Sequence, residues 1–411
     1  MELRNEFAVA AGVSEVQFRD AASAFLAANA KPRHRAEARW GEGPDRVGLF
    51  RESTPEEDLR ELAEAKAWRA TCYDAGFIWA SGPVEYGGRG LPRAFDRLWA
   101  KLESEYDTPT GANLFLVGLG MVAPTTLAHG TEEAKQRYLR ALWRGELIGC
   151  QLFSEPGAGS DLANVSTNAV RDGGEWVVNG QKVWTSGAHY SDLGLLLART
   201  SRDSDSRHHG LTMFLVDMNS PGIDIRPLRQ MTGGTSFYEV FLTDVRIPDW
   251  HRLGDVDGGW RVALTTLMNE RAAIGGGSAS SGFSTTRRLF ELARHAGLNE
   301  DPVIRQKLAQ LWIRSQITRY SRQRAAARAR TGHTPGPENS IAKLFLVQTQ
   351  SLMVDLATAI NGAKLTADTG EWGTYSWAEF VLGAPSGRIG GGTDEIQKNI
   401  AAERILGLPR S

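Results

Sequence analysis

Only two cysteines, Cys72 and Cys150, occur among 411 residues, too few for a disulfide framework and in keeping with a reducing compartment. Neither sign of charge is in excess: 47 Lys and Arg stand against 48 Asp and Glu, a formal charge of -1. A protein whose main partner is nucleic acid normally carries a basic surplus, so that class is excluded. No uninterrupted apolar run approaches the roughly 20 residues that cross a bilayer. The opening segment MELRNEFAVAAGVSEVQFRDAA is interrupted by acidic residues and lacks the apolar core of a signal peptide. The eight histidines have no metal-ligand spacing, and His208-His209 falls in a polar turn. No short-period repeat is present. These absences leave a cytoplasmic protein with no membrane span, no nucleic-acid partner and no metal.

What is present changes character twice along the chain. Residues 14–150 read as helical: Val16, Phe18, Ala22 and Phe25 recur at helical spacing, and Asp58–Ala75 and Pro92–Ser104 continue the pattern, with Pro92 suited to a first helical turn. Thr131-Glu132-Glu133 offers a polar start for a helix over Ala134–Trp143, and Gly82–Gly90 reads as a loop. From Cys150 the period shortens. Trp176–Val178, Asn179-Gly180 and Gln181–Trp184 read as a β-hairpin whose two turn residues tolerate positive φ. Strands follow at Leu193–Arg199, Leu211–Asp217, Ile223–Pro227 and Tyr238–Ile247. After Gly258 the helical period returns, with a long Arg-rich helix over Pro302–Thr331, a break at Gly332–Pro337 and a further helix over Ser340–Ala367. The expected fold is α+β and multi-domain: an N-terminal helical domain (1–149), a middle β-barrel or sandwich domain (150–256) and a C-terminal helical bundle (257–411).

The most informative stretch is Cys150–Asp161, CQLFSEPGAGSD, followed by Trp184-Thr185-Ser186-Gly187. Small hydroxyl residues, a Gly-rich turn and an indole suit a flavin lying on the open face of a sheet. Hydroxyl and amide donors there stabilise the charge of a reduced ring. Gly157 and Gly159 let backbone N–H groups approach an anionic phosphate. Taken alone, the loop reads more readily as an ordinary Gly-rich turn between helix and strand.

Four segments in order resemble the acyl-CoA dehydrogenase family: Pro83–Gly88, Phe153–Asp161, Asn179–Ser186, and Gly391–Gln397 with Ala402–Gly407. The resemblance spans nearly the whole chain. It implies a flavoenzyme in which FAD takes a hydride from the β-carbon of an acyl-CoA while a carboxylate removes an α-proton, giving a trans-2-enoyl-CoA. It also implies an electron-transfer flavoprotein as acceptor and an oligomeric enzyme. By position it places Ser154 at the flavin's pyrimidine side, Ser186 at N5, Trp184 against the ring, Ser160 at a phosphate or CoA, and Thr393 to Glu395 at the cofactor pyrophosphate. Gln151, Phe153, Gly159 and Thr185 belong to the same cofactor site.

The chain departs from the pattern in two places. Many family members carry the catalytic carboxylate immediately before the Gly-Thr of the C-terminal signature, but here that position is Gly391. A minority carries a Glu before an Arg on the helix after the β domain, and this chain has Asn269-Glu270-Arg271 there. Glu270 is therefore the expected base, with Asn269, Arg271 and the backbone N–H of Gly391 on the substrate side. A solvated helix residue paired with an arginine is the plain alternative for Glu270. Gly390–Gly392 and Gly275–Gly277 leave room for a branched or polycyclic acyl group, or are simple small-residue packing.

The second departure concerns contacts that members make to the FAD of a neighbouring subunit. No Phe-Gly follows Arg288, and Ala359 occupies the position of a usual Gln. The adenine end of FAD is then held differently, or by a related chain in a heteromer. A flavin monooxygenase on the same fold and a non-catalytic subunit are the rival functions. Cys72 and Cys150 read as core thiols, and Arg319–Arg330 as a solvated helix face.

Overall fold

The computed structural model describes residues 13–33, 39–49, 53–202, 206–275, 285–330 and 336–409. Their elements in chain order are α1 (Glu15–Asn29), β1 (Lys31–Pro32), α2 (Pro55–Asp74), α3 (Ala94–Glu103), β2 (Tyr106–Asp107), α4 (Ala112–Val117), α5 (Ala123–His129) and α6 (Glu132–Arg144). The strands β3 (Gly149–Leu152), β4 (Asn168–Asp172), β5 (Glu175–Ser186), β6 (Leu193–Arg199), β7 (Leu211–Asp217), β8 (Ile223–Leu228), β9 (Phe237–Pro248) and β10 (Arg252–Leu253) follow. Last come α7 (Gly259–Gly275), α8 (Thr285–His295), α9 (Pro302–Arg330), α10 (Glu338–Asn361), α11 (Trp377–Gly387) and α12 (Asp394–Arg404). The described residues fall into two compact units, one within 1–34, 53–229 and 235–270, the other within 35–52, 230–234 and 271–411.

In the first unit the helices begin where side chains satisfy the free N–H groups of the first turn. Ser14 with Gln17 and Thr54 with Glu57 form reciprocal capping boxes, and Pro55 sits at a position that needs no N–H. Thr131 caps α6, which ends at Gly145 in the left-handed conformation that a side chain would disfavour. Pro92 lies outside α3, which starts at Ala94; its carbonyl accepts from Phe95, so it shapes the entry turn rather than the first helical turn.

The middle strands form one eight-stranded sheet, in the order β10-β7-β6-β4-β5-β9-β8 with β3 parallel to β6. β6 is buried along its whole length, which explains why it reads as a continuous apolar run rather than an alternation. Its residues divide by parity between two cores. Leu193, Leu195 and Leu197 meet Val122, Ala123, Leu139 and Leu142 of the helices. Leu196 and Ala198 join Phe214 and Val216 against Trp176, Val178, Val240 and Val245, so the sheet folds over on itself. The stretch Ala112–His129 is long and apolar enough to cross a membrane by length and composition; Met121, Val122 and Ala123 on it are buried in the protein.

The expected hairpin at Asn179-Gly180 is not formed. β5 runs unbroken through it, and the tight turn lies earlier, at Gly173-Gly174 between β4 and β5. Asn179 instead braces an extra residue in β9: its Nδ2 donates to Asp244 Oδ1 at 2.9 Å and its Oδ1 accepts from Asp244 N at 2.9 Å. Asp244 there adopts φ +51°, a left-handed conformation that Asp tolerates when its side chain is locally bonded.

The second unit is a helical bundle. Leu289, Leu292, Ile304, Leu308, Leu311, Met353, Leu356, Trp377 and Phe380 form its core. Val47 is buried in that core and Trp40 and Leu49 pack against it, so residues 39–49 are a strap belonging to the bundle. The break expected at Gly332–Pro337 falls mostly outside the described residues, as do Gly276 and Gly277.

Leu196 is fully buried between the two layers of the sheet. Leu196→Ala is expected to lower unfolding free energy by about 2–5 kcal/mol, measured by urea denaturation at neutral pH.

Candidate functional site

The site in the first unit is built around a buried ion pair. Lys182, on β5, is fully buried and donates to Glu155 Oε1 at 2.8 Å, to Phe153 O at 3.0 Å and to Leu197 O at 2.8 Å. Glu155 in turn accepts from Ser166 N at 2.6 Å, Ser166 Oγ at 2.7 Å and Thr167 N at 2.9 Å. Every Lys182 proton is thus taken, which a buried ammonium requires. Burial pushes Glu155 up, but Lys182 and the bonds from Thr167 and Ser166 outweigh it and hold the carboxyl at about 2. Burial lowers Lys182, offset in part by Glu155.

This network fixes the loop 153–161 against β5, together with the bond from Val183 N to Ser154 O at 2.9 Å. Glu155 and Ala158 exchange both backbone bonds, closing a tight turn. Gly157 and Gly159 have no positive φ, and a Cβ at either would meet nothing within 4 Å. Neither packing nor backbone conformation requires glycine there; what its absence of a side chain leaves is open backbone.

Trp184 owes its orientation to a bulge. Lys182 pairs with Val240 and Thr185 with Tyr238, so β5 carries one more residue than β9 across this interval. Trp184 takes up the extra residue with φ +62°, and its indole stands 59% exposed, edge-on to Phe237 at 6.0 Å. A bulge that re-aims one side chain is a recurrent device beside active sites. Ser186, two residues on, is also exposed, while Ser154 and Gln151 are half-buried. Phe153 and Thr185 turn into the core, so only their backbones are available on the open face; the Thr185 hydroxyl is buried and has no hydrogen-bond partner among the described residues. Gly159 and Ser160 are exposed.

Glu270 and Asn269 are half-buried on α7. That helix is locked to its unit one turn earlier: Thr266 Oγ1 lies 3.0 Å from Thr125 Oγ1 and Thr265 Oγ1 2.9 Å from His129 Nε2, with Val262 and Ala263 fully buried. The side chain of Arg271 lies outside the described residues.

In the second unit, Thr393 caps α12, its Oγ1 accepting from Ile396 N at 3.3 Å, and Glu395 is exposed in the first turn. Gly391 and Gly392 are left-handed, with φ +67° and +86°, so the turn into α12 itself calls for glycine at both. Acyl room is not needed to explain them. Gln397 Nε2 donates to Gly391 O at 2.8 Å, and Lys343 Nζ to Gly392 O at 2.8 Å. Arg288 is buried: it pairs with Asp45 of the strap and lies 4.2 Å from the Trp372 ring centroid. Its guanidinium is therefore occupied within its own unit, whereas Ala359 is exposed on α10. Cys72 and Cys150 are buried free thiols, and burial raises Cys150 to about 12.

Lys182 and Glu155 were given no role by the sequence reading. The signal was present: Lys182 shares strand parity with Trp176 and Val178, both buried, and a lysine on a buried strand face needs a carboxylate.

Against this geometry the comparisons with known proteins are consistent. The chain matches the N-terminal domain of acyl-CoA dehydrogenase over residues 14–146, the middle domain over 150–245 and the C-terminal domain over 257–406. The chain belongs to the acyl-CoA dehydrogenase family, and is an oxidoreductase of that class. Among its relatives, acyl-CoA dehydrogenase IpdE1 of Mycobacterium tuberculosis is 38% identical over 357 residues, 87% of this chain and 91% of that protein. Acyl-CoA dehydrogenase FadE34 of the same organism is 42% identical over 339 residues, 82% of this chain but 45% of that protein. A solved structure titled Tcur3481-Tcur3483 steroid ACAD superposes with a TM-score of 0.70 at 26% identity, covering 87% of this chain and 94% of that one.

Removing one member of a buried ion pair strands the other. Glu155→Gln is expected to cost about 3–5 kcal/mol at pH 7. Because the folded pKa, about 2, lies below the unfolded value of about 4.3, Glu155 stabilises the protein above that unfolded value and its contribution fades as pH falls toward the folded one. The gap between wild type and Glu155→Gln, measured by urea denaturation at stepped pH, should narrow over that acid window.

Proposed function

We propose that this chain oxidises an acyl-CoA thioester between its α- and β-carbons, with FAD as cofactor and Glu270 as the base. The observation that carries the reading is the bulge that turns Trp184 outward beside the loop whose Gly157 and Gly159 leave the backbone open. An exposed indole, exposed Ser186 and a loop of unobstructed amides on one sheet fit a planar aromatic ring and an attached phosphate. Trp184, Ser186, Ser154 and Gln151 would hold the ring, Gly159 and Ser160 a phosphate, and Thr393 and Glu395 the pyrophosphate end. When bound, FAD supplies a two-electron acceptor for the hydride that leaves the β-carbon.

The remaining chemistry belongs to the chain. Position 391 has no carboxylate, so proton removal falls to a carboxylate elsewhere, and Glu270 is half-buried on a helix whose preceding turn is pinned by Thr265 and Thr266. A base held by a fixed helix keeps its oxygen in one place, which proton abstraction from a weakly acidic carbon requires. Glu270 takes the α-proton and is left neutral; the electron pair of that C–H bond forms the new double bond as hydride departs from the β-carbon. Asn269, which precedes it on the helix, belongs to the substrate side in this reading.

For the acyl group we propose a bulky, polycyclic class, supported by the steroid enzyme among the similar structures. Electron-transfer flavoprotein is the proposed acceptor. Assembly with further chains, identical or related, is part of the same reading: the similar structure is titled as a pair of products, and Arg288 is already engaged by Asp45.

Glu270→Gln is expected to keep its yellow colour and bound FAD while losing enoyl-CoA formation by about 10²–10⁴-fold. Anaerobic bleaching against short, branched and steroid-side-chain acyl-CoA thioesters reads cofactor, base and substrate class together. Unchanged turnover in the variant rejects Glu270, and bleaching by short straight chains alone rejects the bulky class.

A further inference from the structure

We propose that His189 is a positioning residue for the segment Trp184–Ser186: when its ring takes up a proton it closes on Asp58 and draws with it the turn behind the indole and the Ser186 hydroxyl. What that segment holds rests on the cofactor reading above; that it answers to His189 does not, and the test reads the two separately.

The turn that follows β5 is short and stiff. Gly187 is left-handed, with φ +64°, and a Cβ there would lie 2.3 Å from the Tyr190 hydroxyl oxygen, so the position is confined to glycine. Its carbonyl accepts from Tyr190 N at 3.3 Å and from Ser191 Oγ at 2.8 Å, and Ala188 O accepts from Ser191 N at 3.3 Å. His189 is thus tied to Ser186 through three peptide links, at most about 11 Å of chain. A second path runs through β9. Tyr238 stacks on the imidazole, ring centroids 4.5 Å apart, and is the cross-strand partner of Thr185. Its neighbour Phe237 pairs with Ser186 and meets the Trp184 indole edge-on. One face of α2 covers the turn. Asp58 faces His189, Leu62 and Ala65 belong to the cluster against which Tyr190 packs, and Lys66 Nζ lies 3.5 Å from Asp192 Oδ2.

The imidazole is left unfinished. Its side chain is 17% exposed, and neither ring nitrogen has a hydrogen-bond partner among the described residues. Nε2 stands 3.5 Å from Asp58 Oδ2, while the other carboxylate oxygen accepts from the Ser53 hydroxyl. Buried polar atoms are nearly always bonded, so two unbonded nitrogens on one ring beside a carboxylate mark a contact that has not closed. A charge-assisted N–H···O bond shortens to about 2.8 Å, so protonation of the ring calls for a movement of about 0.7 Å. Displacements approaching 1 Å beside reacting atoms are worth up to about 10²-fold in rate. Burial lowers the ring's hold on its proton and Asp58 raises it, burial being the larger. His189 is therefore neutral at pH 7, and the contact closes on the acid side of the usual histidine value of about 6.5. The other groups around it do not change charge there. Tyr190 on the same turn, Tyr238 on β9 and Cys150 on β3 are pushed upward by burial and keep their protons, and Lys66 and Asp192 face one another.

The test uses the full-length chain labelled with 5-fluorotryptophan, with Trp184→Phe assigning the Trp184 signal, followed by fluorine NMR from about pH 8 to about pH 4.5. The Trp184 signal should move through one transition on the acid side of neutrality. His189→Gln should abolish that transition, and Asp58→Asn should shift its midpoint lower by up to about one unit. Circular dichroism checks both variants; should His189→Gln fail to fold, the displaced midpoint in Asp58→Asn carries the test. With FAD bound, the reduction potential should rise more steeply toward acid in wild type than in His189→Gln, because the imidazolium stabilises the charge of the reduced ring. A Trp184 signal that ignores pH overturns the inference, as does a transition that survives His189→Gln or an equal potential slope in both proteins. A Trp184 transition in a chain that takes up no FAD upholds the role of His189 and rejects the cofactor reading instead.

Discussion

The buried pair of Lys182 and Glu155 is the constraint on which the proposed cofactor face rests. One ammonium joins three separate segments: the loop carrying Ser154 through the Phe153 carbonyl, the central strand β6 through the Leu197 carbonyl, and the segment 166–167 through the Glu155 carboxylate. A buried ion pair is poor evidence of net stability, because both charges lose their water. Its value here is geometric. The directions of three donated bonds leave the loop one position relative to β5, and that position sets the turn with Gly157 and Gly159 beside the outward indole.

The division of labour between the units is equally physical. In the first, both faces of β6 are buried, one under helices and one inside the folded sheet, which leaves the end of β5 as a rigid rim on which an exposed aromatic can be held at little entropic cost. α7 leaves that unit from a well-anchored turn, where Thr125 and His129 grip it. In the second, the turn before α12 is closed by Gln397 and Lys343 on two glycine carbonyls, which leaves α12 with an ordered N-terminus.

Much of this was legible in the chain itself. β6 and β7 were bounded correctly because unbroken apolar runs flanked by polar turns have few alternative readings. The start of α6 was legible through Thr131, whose hydroxyl does cap it. The Asn-Gly pair misled because its local preference for a tight turn was overridden by pairing on both sides: β4 and β9 each bond to β5 through this region, and only Asp244, far away in sequence, shows why Asn179 is there. The bulge at Trp184 was equally hidden, since it exists only as a mismatch between two strands. Within the proposed site, the hydroxyl and indole residues were legible from their motif, whereas the inward turn of Phe153 and Thr185 and the pair beneath them depend on packing that no single segment encodes. Arg288 illustrates the same limit: its partner Asp45 lies 243 positions earlier.

That separation bears on how the molecule comes into being. The strap at 39–49 leaves the ribosome well before the core it completes, which is made of Leu289, Leu308, Met353 and Trp377 and is synthesised only after the whole β sheet. Trp40, Val47 and Leu49 therefore wait, apolar and without their neighbours, while the β sheet is synthesised and folds between them and their destination. Contacts of such span are slow to form, and a nascent chain of this design has reason to depend on chaperones until the helices of the bundle are delivered.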